Sequence, residues 1–209
     1  MATTYLHAVS SLDGYIADEH DDVGPLHEWY FNGDHPLVAD DHPEVHSARF
    51  RVSAESADYV RGMWSRQKVL IIGRHLFDLT NGWDGHPPAS DHVVVVSHRP
   101  RPEGWHPEAA YHFVTSIEAA FALAQSLAGD GDGDGEIGVT AGDIGGQALA
   151  LGLVDQIAID IVPVVFGRGK PYFGNTDSAQ LLLEDPDVVV RGTGVLHLRF
   201  PVHHTGQKS

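Results

Sequence analysis

Two runs of uninterrupted apolar residues limit what this chain can fold into more than any other feature. In Lys68-Val69-Leu70-Ile71-Ile72 and His92-Val93-Val94-Val95-Val96-Ser97 polar residues stand only at the ends, and the residues between them offer no polar face to water. A strand written this way is covered on both faces, as in a parallel sheet with helices on each side. Two helical patterns supply that cover. In residues 53–67 Ser53 is placed to cap, and Ala57, Val60, Met63 and Trp64 share a face. In 116–128 Ser116 caps, Ala119, Ala120, Leu123 and Leu127 bury, and Gly129 stops the helix. Residues 3–11 and 111–114 read as further strands. Residues 154–165 read as a long apolar strand in which Asp155 and Asp160 imply partial exposure and Pro163 an edge or bulge. The stretches 188–191 and 194–203 read as closing antiparallel strands. With no internal repeat and no clean boundary, the expectation is one α/β domain over residues 1–209 with a mixed, mostly parallel sheet.

Both apolar runs end in basic residues. The first leads into Gly73-Arg74-His75-Leu76-Phe77, the second into Ser97-His98-Arg99. An arginine fork is always charged and fits a phosphate through two parallel hydrogen bonds. A third stretch, 135–153, reads as strand, glycine-rich turn and helix, with Gly142, Gly145 and Gly146 in the turn. Free N–H groups at such a helix start favour an anion. These features stand out because the net charge is −16, which argues against nucleic acid or an anionic membrane as partner. The absence of cysteine excludes disulfides, thiol nucleophiles and Cys-based zinc sites. No apolar run reaches the length of a membrane span, and Met1–Ser10 lacks the charged and apolar regions of a signal peptide, so a cytoplasmic protein is expected.

The first strand ends at Ser11-Leu12-Asp13-Gly14. Asp13, just past a strand end and beside a glycine, is placed for a site or is an ordinary turn aspartate. Residues 24–50 are irregular. Their Trp29, Tyr30 and Phe31 either cover a pocket, with Trp29 against the substrate, or form a satellite core. His42 and His46 have the spacing of two metal ligands but no third nearby. Asp130, Asp132 and Asp134 begin like a calcium loop, yet Ala141 stands where the bidentate Glu belongs. No metal is expected.

Taken in order, Ser11-Leu12-Asp13-Gly14-Tyr15-Ile16-Ala17, Ile72-Gly73-Arg74-His75-Leu76-Phe77, Val96-Ser97-His98-Arg99, the glycine turn after Val139, and 161–169 (IVPVVFGRG) resemble the dihydrofolate-reductase-like superfamily. The closer resemblance is to the C-terminal reductase domain of bifunctional riboflavin biosynthesis proteins, and it covers nearly the whole chain. It implies a three-layer α/β/α fold with antiparallel C-terminal strands and an NADPH site across one sheet edge. Gly73, Arg74, His75 and Leu76 are then expected at the pyrophosphate. Ser97, His98 and Arg99 are expected at the adenosine ribose and its 2′-phosphate, and Ala8, Ile16 and Ala17 beside the nicotinamide. Backbone contacts are expected from Ala141, Gly142, Asp143, Ile144 and Gly145. The family's glycine pair follows the strand directly, whereas here Thr140-Ala141 takes that place and Gly145-Gly146 comes later.

The implied activity is hydride transfer from NADPH to a C=N or C=O bond of a small heterocyclic or phosphoribosyl substrate. A dihydrofolate-reductase-type activity and a non-catalytic NADPH-binding protein are the alternatives. The riboflavin branch assigns the proton donor to the position of Asp13, whose pKa burial near Leu12 and Tyr15 would raise. Glu28, Asp34, Asp40 and Asp41 are other carboxylates for that task. Arg49, Arg51, Arg168 and Lys170 are cations available to a substrate phosphate. The family often dimerises, so a homodimer is expected.

Overall fold

The computed structural model describes residues 1–38, 46–129, 135–175 and 180–203. The His42/His46 pair, Asp40, Asp41 and the Asp130-Asp132-Asp134 turn fall outside those residues or have undescribed side chains. The strands are β1 (Thr3–Ser11), β2 (Tyr15–Ala17), β3 (His35–Pro36), β4 (Arg51–Val52), β5 (Gln67–Gly73), β6 (His92–Val96), β7 (Tyr111–Val114), β8 (Glu136–Thr140), β9 (Gln156–Val162), β10 (Lys170–Pro171), β11 (Val188–Gly192) and β12 (Val195–Pro201). The α-helices are α1 (Ala54–Arg66), α2 (Arg74–Thr80), α3 (Ile117–Ala128) and α4 (Asp143–Ala150).

Eight strands form one sheet in the order β11-β12-β9-β1-β8-β5-β6-β7. From β9 through β7 every pairing is parallel, and β12 and β11 add antiparallel at one end. The two apolar runs, β5 and β6, lie side by side deep in this sheet. Each covers both faces: Val69 and Ile71 pack with α3, while Leu70 and Ile72 pack with Phe77 of α2. Ser53 and Ser116 cap their helices by accepting the N–H groups of Ser56 and Ala119. On α1, Val60 and Met63 are buried against Tyr5 and the ends of β9 and β12. Full burial of one such side chain contributes about 1.5–3 kcal/mol.

Two expectations need correcting. The strand read as 154–165 stops at Val162, one residue before Pro163, and it is not an edge: β9 lies between β1 and β12. Asp160, read as part of an exposed alternation, is fully buried. Helices α1 and α2 cover one face of the sheet and α3 and α4 the other. On the first face α1 sits over the β12-β9-β1 side and α2 over the β5-β6-β7 side. His7 of β1 and Thr140 of β8, paired in register, surface on the strip between them.

Candidate active site

Parallel pairing brings the C-terminal ends of β1, β5, β6, β8 and β9 to a single edge of the sheet. Ligands of open α/β sheets bind at that edge. The two basic strand ends become neighbours because Gly73 pairs with Val96. Arg74 Nε donates to Asp78 Oδ1 at 2.7 Å. Its Nη1 reaches the carbonyls of Pro100 (3.1 Å) and Arg99 (3.4 Å) and Ser97 Oγ (3.5 Å). Arg74 therefore ties the two ends together and has little left for a ligand. Arg99 is different. Its side chain is 65% exposed and, among the described residues, meets only the other oxygen of Asp78, at 2.6 Å. Ser97 fixes the turn by accepting Arg99 N–H at 2.9 Å and donating to Arg99 O at 2.7 Å. The Arg74 hydrogen bond, then that of Arg99, holds the Asp78 carboxyl below its usual range. The cluster carries one net positive charge. His98 is exposed, Leu76 half-buried in the α2 core. His75 Nε2 lies 3.0 Å from Asp21, which also faces Lys170 at 3.6 Å.

The turn from β8 into α4 shows why its glycines sit late. Gly142 has φ +89°, ψ −154°, a conformation closed to residues with a Cβ, and donates to Tyr172 O at 2.8 Å. Ala141 N–H is also used, by His7 O at 3.2 Å. Gly145 lies against the sheet: a Cβ there would stand 2.2 Å from Leu6 Cδ1 and 2.7 Å from Thr140 O. Its absence lets α4 press onto β1. Gly73 does the same across the site, since a Cβ on it would come within 2.9 Å of Ile144 Cγ1. The first turn of α4 thus abuts the start of α2. The N–H groups of Asp143, Ile144 and Gly145 have no backbone acceptor among the described residues and are the donors a helix start offers an anion. The Asp143 carboxylate is turned aside, to Asn175 N–H at 2.9 Å. Ile16 packs against Gly142, Ala17 pairs with Lys170, and Ala8 lies mid-strand opposite Ile159.

Two residues differ from their expected roles. Asp13 is exposed, and its carboxylate is a turn pin. It accepts Ser11 Oγ–H at 2.7 Å, Gly167 N–H at 2.7 Å and Phe166 N–H at 3.1 Å. The Ser11 hydroxyl first, then the two backbone donors, lower its pKa rather than raise it. These three donors favour the carboxylate form of Asp13. Trp29 is 2% exposed, stacked on Tyr30 at 4.0 Å and edge-on to His197 at 5.2 Å. It belongs to the core beneath the 24–31 segment, which rules out a substrate contact in this conformation. The alternative carboxylates Glu28 and Asp34 are exposed, the latter beside His35. Among the cations, Arg51 is folded back onto its own turn and Arg168 pairs with Glu19 at 3.0 Å.

A buried polar chain was not read from the sequence. Asp160 Oδ1 receives His197 Nδ1 at 2.6 Å and Oδ2 lies 3.0 Å from His7 Nε2. His197 Nε2 in turn meets Ser56 Oγ at 2.9 Å. Burial alone would raise the Asp160 pKa, but the positive character of His7 and the hydrogen bonds from His197 and His7 prevail and hold it at about 2. An aspartate inside the apolar run I-A-I-D-I-V was the signal available.

A mostly parallel eight-stranded sheet between helices, with a helix start and two basic strand ends along one edge, defines a dihydrofolate-reductase-like α/β protein. Within that class the chain belongs to the RibD C-terminal domain family, whose model matches residues 2–197. A candidate riboflavin biosynthesis protein of Shewanella sp. PV-4 shares the fold at TM-score 0.64 and 21% identity, over 98% of this chain and 100% of its own. RibD of Acinetobacter baumannii matches at 0.59 and 15%, over 97% of this chain and 58% of its own. The Thermotoga maritima diaminohydroxyphosphoribosylaminopyrimidine deaminase/5-amino-6-(5-phosphoribosylamino)uracil reductase matches at 0.57 and 13%, over 97% and 57%. The chain thus spans little more than half the length of the last two. No curated protein matches the sequence.

Proposed function

We propose that this chain is an NADPH-dependent reductase of a phosphoribosylated aminopyrimidine, the substrate type named for the Thermotoga maritima relative. The observation that carries the reading is the convergence of three elements on one sheet edge: the turn after β5, the turn after β6 and the N-terminus of α4. These fit a dinucleotide phosphate. Gly73 and Gly145 lack the Cβ atoms that would force α2, α4 and β1 apart, and the α4 start offers three N–H donors. Arg99, exposed on a turn fixed by Ser97, is the residue suited to a 2′-phosphate. Ala8, Ile16 and Ala17 would border the nicotinamide.

When bound, NADPH supplies a hydride to the carbon of a C=N or C=O bond. The chain's own residues bind and orient. Arg74 holds the two basic turns at fixed separation, Asp13 fixes the β1 turn against 166–167, and the His75–Asp21–Lys170 contacts hold the 18–22 turn over the edge. Among the described residues no helix is long and apolar enough to cross a membrane. The exposed Leu181, Leu182 and Val189 near the outer edge of the sheet suit the homodimer expected from the family; light scattering checks it. The function is tested by mixing the protein with NADPH and 5-amino-6-(5-phosphoribosylamino)uracil and following nicotinamide absorbance. Stoichiometric NADPH oxidation supports the reading. Tight NADPH binding without oxidation would make the protein a binding module instead.

A further inference from the structure

Ser11, Phe166 and Gly167 hold the Asp13 carboxylate as a turn anchor rather than as an acid facing a ligand. We propose that His7, oriented by Asp160, is the catalytic acid that protonates the substrate heteroatom, an inference that rests on the reductase reading. The His7 carbonyl receives the Ala141 N–H that leads into α4. The His7 side chain points to the strip of sheet between α1 and α2, beside Thr140, and is 22% exposed. Nε2 is committed to Asp160 at 3.0 Å. Nδ1 has no hydrogen-bond partner among the described residues, so the open nitrogen is the one that can meet a ligand.

The pair has a purposeful setting. Asp160 is fully buried, and both its oxygens are occupied by imidazoles. His197 is itself sealed and anchored to Ser56, so Asp160 cannot swing away from His7. A fixed carboxylate on one imidazole nitrogen sets the tautomer and stabilises the charged ring. The other titratable groups around the pair are Tyr5 beside His7, Tyr59 of α1, Tyr30 of the 24–31 segment and Tyr172, all pushed up by burial. Arg199 lies over the Tyr5 ring at 5.2 Å, and Glu136 pairs with Arg199. None of these tyrosines ionises near neutrality.

Hydride arriving at the carbon moves the C=N or C=O π pair onto the heteroatom. The Nδ1–H bond of protonated His7 breaks, its proton joins the heteroatom, and the bonding pair stays on Nδ1. The neutral ring keeps its Nε2–H toward Asp160, and solvent returns a proton to Nδ1. Since the protonated ring is the active form, kcat falls on the alkaline side.

The test uses the whole chain. Imidazole nitrogen NMR of the unliganded protein should show neutral His7 as the Nε2–H tautomer, and Asp160→Asn should weaken that tautomer preference. In turnover, His7→Gln should cost about 10²–10⁴-fold in kcat with NADPH affinity held within about threefold, read by tryptophan quenching. His7→Lys, which keeps a protonatable group, should recover part of that loss and move the alkaline limb upward. If Asp160→Asn fails to fold, His7→Gln and His7→Lys still decide the matter. A neutral Nδ1–H tautomer, or His7→Gln with near wild-type kcat and an unchanged pH profile, would overturn the inference while leaving the reductase reading intact. A wild-type protein that never oxidises NADPH would overturn both.

Discussion

Replacing Gly145 by alanine tests the reason for the displaced glycines. The added Cβ falls 2.2 Å from Leu6 Cδ1, 3.5 Å from Leu6 Cδ2 and 2.7 Å from Thr140 O. Leu6 is fully buried among Ile71, Ile137 and Val139 and has nowhere to turn. The Thr140 carbonyl is backbone at the end of β8 and moves only if the sheet edge moves. Overpacking of this kind costs about 1–3 kcal/mol, against a helix-propensity gain of at most about 1 kcal/mol. The net loss of about 1–2 kcal/mol corresponds to about 2–8 °C in Tm for a chain this size. Gly62→Ala in α1 is the matched control. Its Cβ meets nothing closer than Arg66 Nη1 at 3.7 Å, so propensity alone acts and stability rises by about 0.5–1 kcal/mol. Thermal unfolding of both variants reads the two signs. Because the same contact seats α4, Gly145→Ala should also weaken NADPH binding. A Gly145→Ala protein as stable as wild type would show that α4 does not press on β1 as described.

Three further outcomes follow from the site. Asp13→Asn should weaken the β1 turn and lower Tm, because an amide offers one acceptor oxygen where the carboxylate serves three donors. The alkaline limb of the pH–rate profile should not move; a lost limb would restore Asp13 as the acid. Asp160, with a folded pKa of about 2 against an ordinary 3.8, contributes stability that is fully present above about pH 4 and is lost as pH falls toward 2. The contribution is on the order of 2 kcal/mol. Asp160→Asn should erase that acid-dependent part in unfolding measurements between pH 7 and pH 2, and an unchanged acid profile would contradict the assignment. Arg99→Ser should weaken NADPH binding about 10–100-fold, the worth of one charge-assisted hydrogen bond, and leave NADH binding nearly unaffected in a quench titration.

Local signals carried most of the architecture. The apolar runs at 68–72 and 92–97 could only be buried strands, and Ser53 and Ser116 marked their helices by a side-chain oxygen at the right offset. The basic residues after β5 and β6 were visible too, since parallel strands bring their ends together. What stayed hidden depends on partners far along the chain. Asp13 is pinned by Phe166 and Gly167, 153 and 154 residues away. That contact decides whether its carboxyl is an acid or a turn anchor. His7 and Asp160 are likewise 153 residues apart, and alternation tells which face a strand residue takes but not which side chain it meets. Arg74 looked like a phosphate ligand because a sequence does not reveal that the carbonyls of Arg99 and Pro100 already occupy its guanidinium.

The edge formed by Gly73–Arg74, Ser97–Arg99 and the start of α4 is the proposed NADPH site. Calorimetric titration of the purified protein with NADPH and with NADH tests it most directly. One saturable NADPH site per chain is expected, at least about tenfold tighter than NADH, with the preference collapsing in Arg99→Ser. Equal affinities for the two nucleotides, or no binding of either, would contradict it.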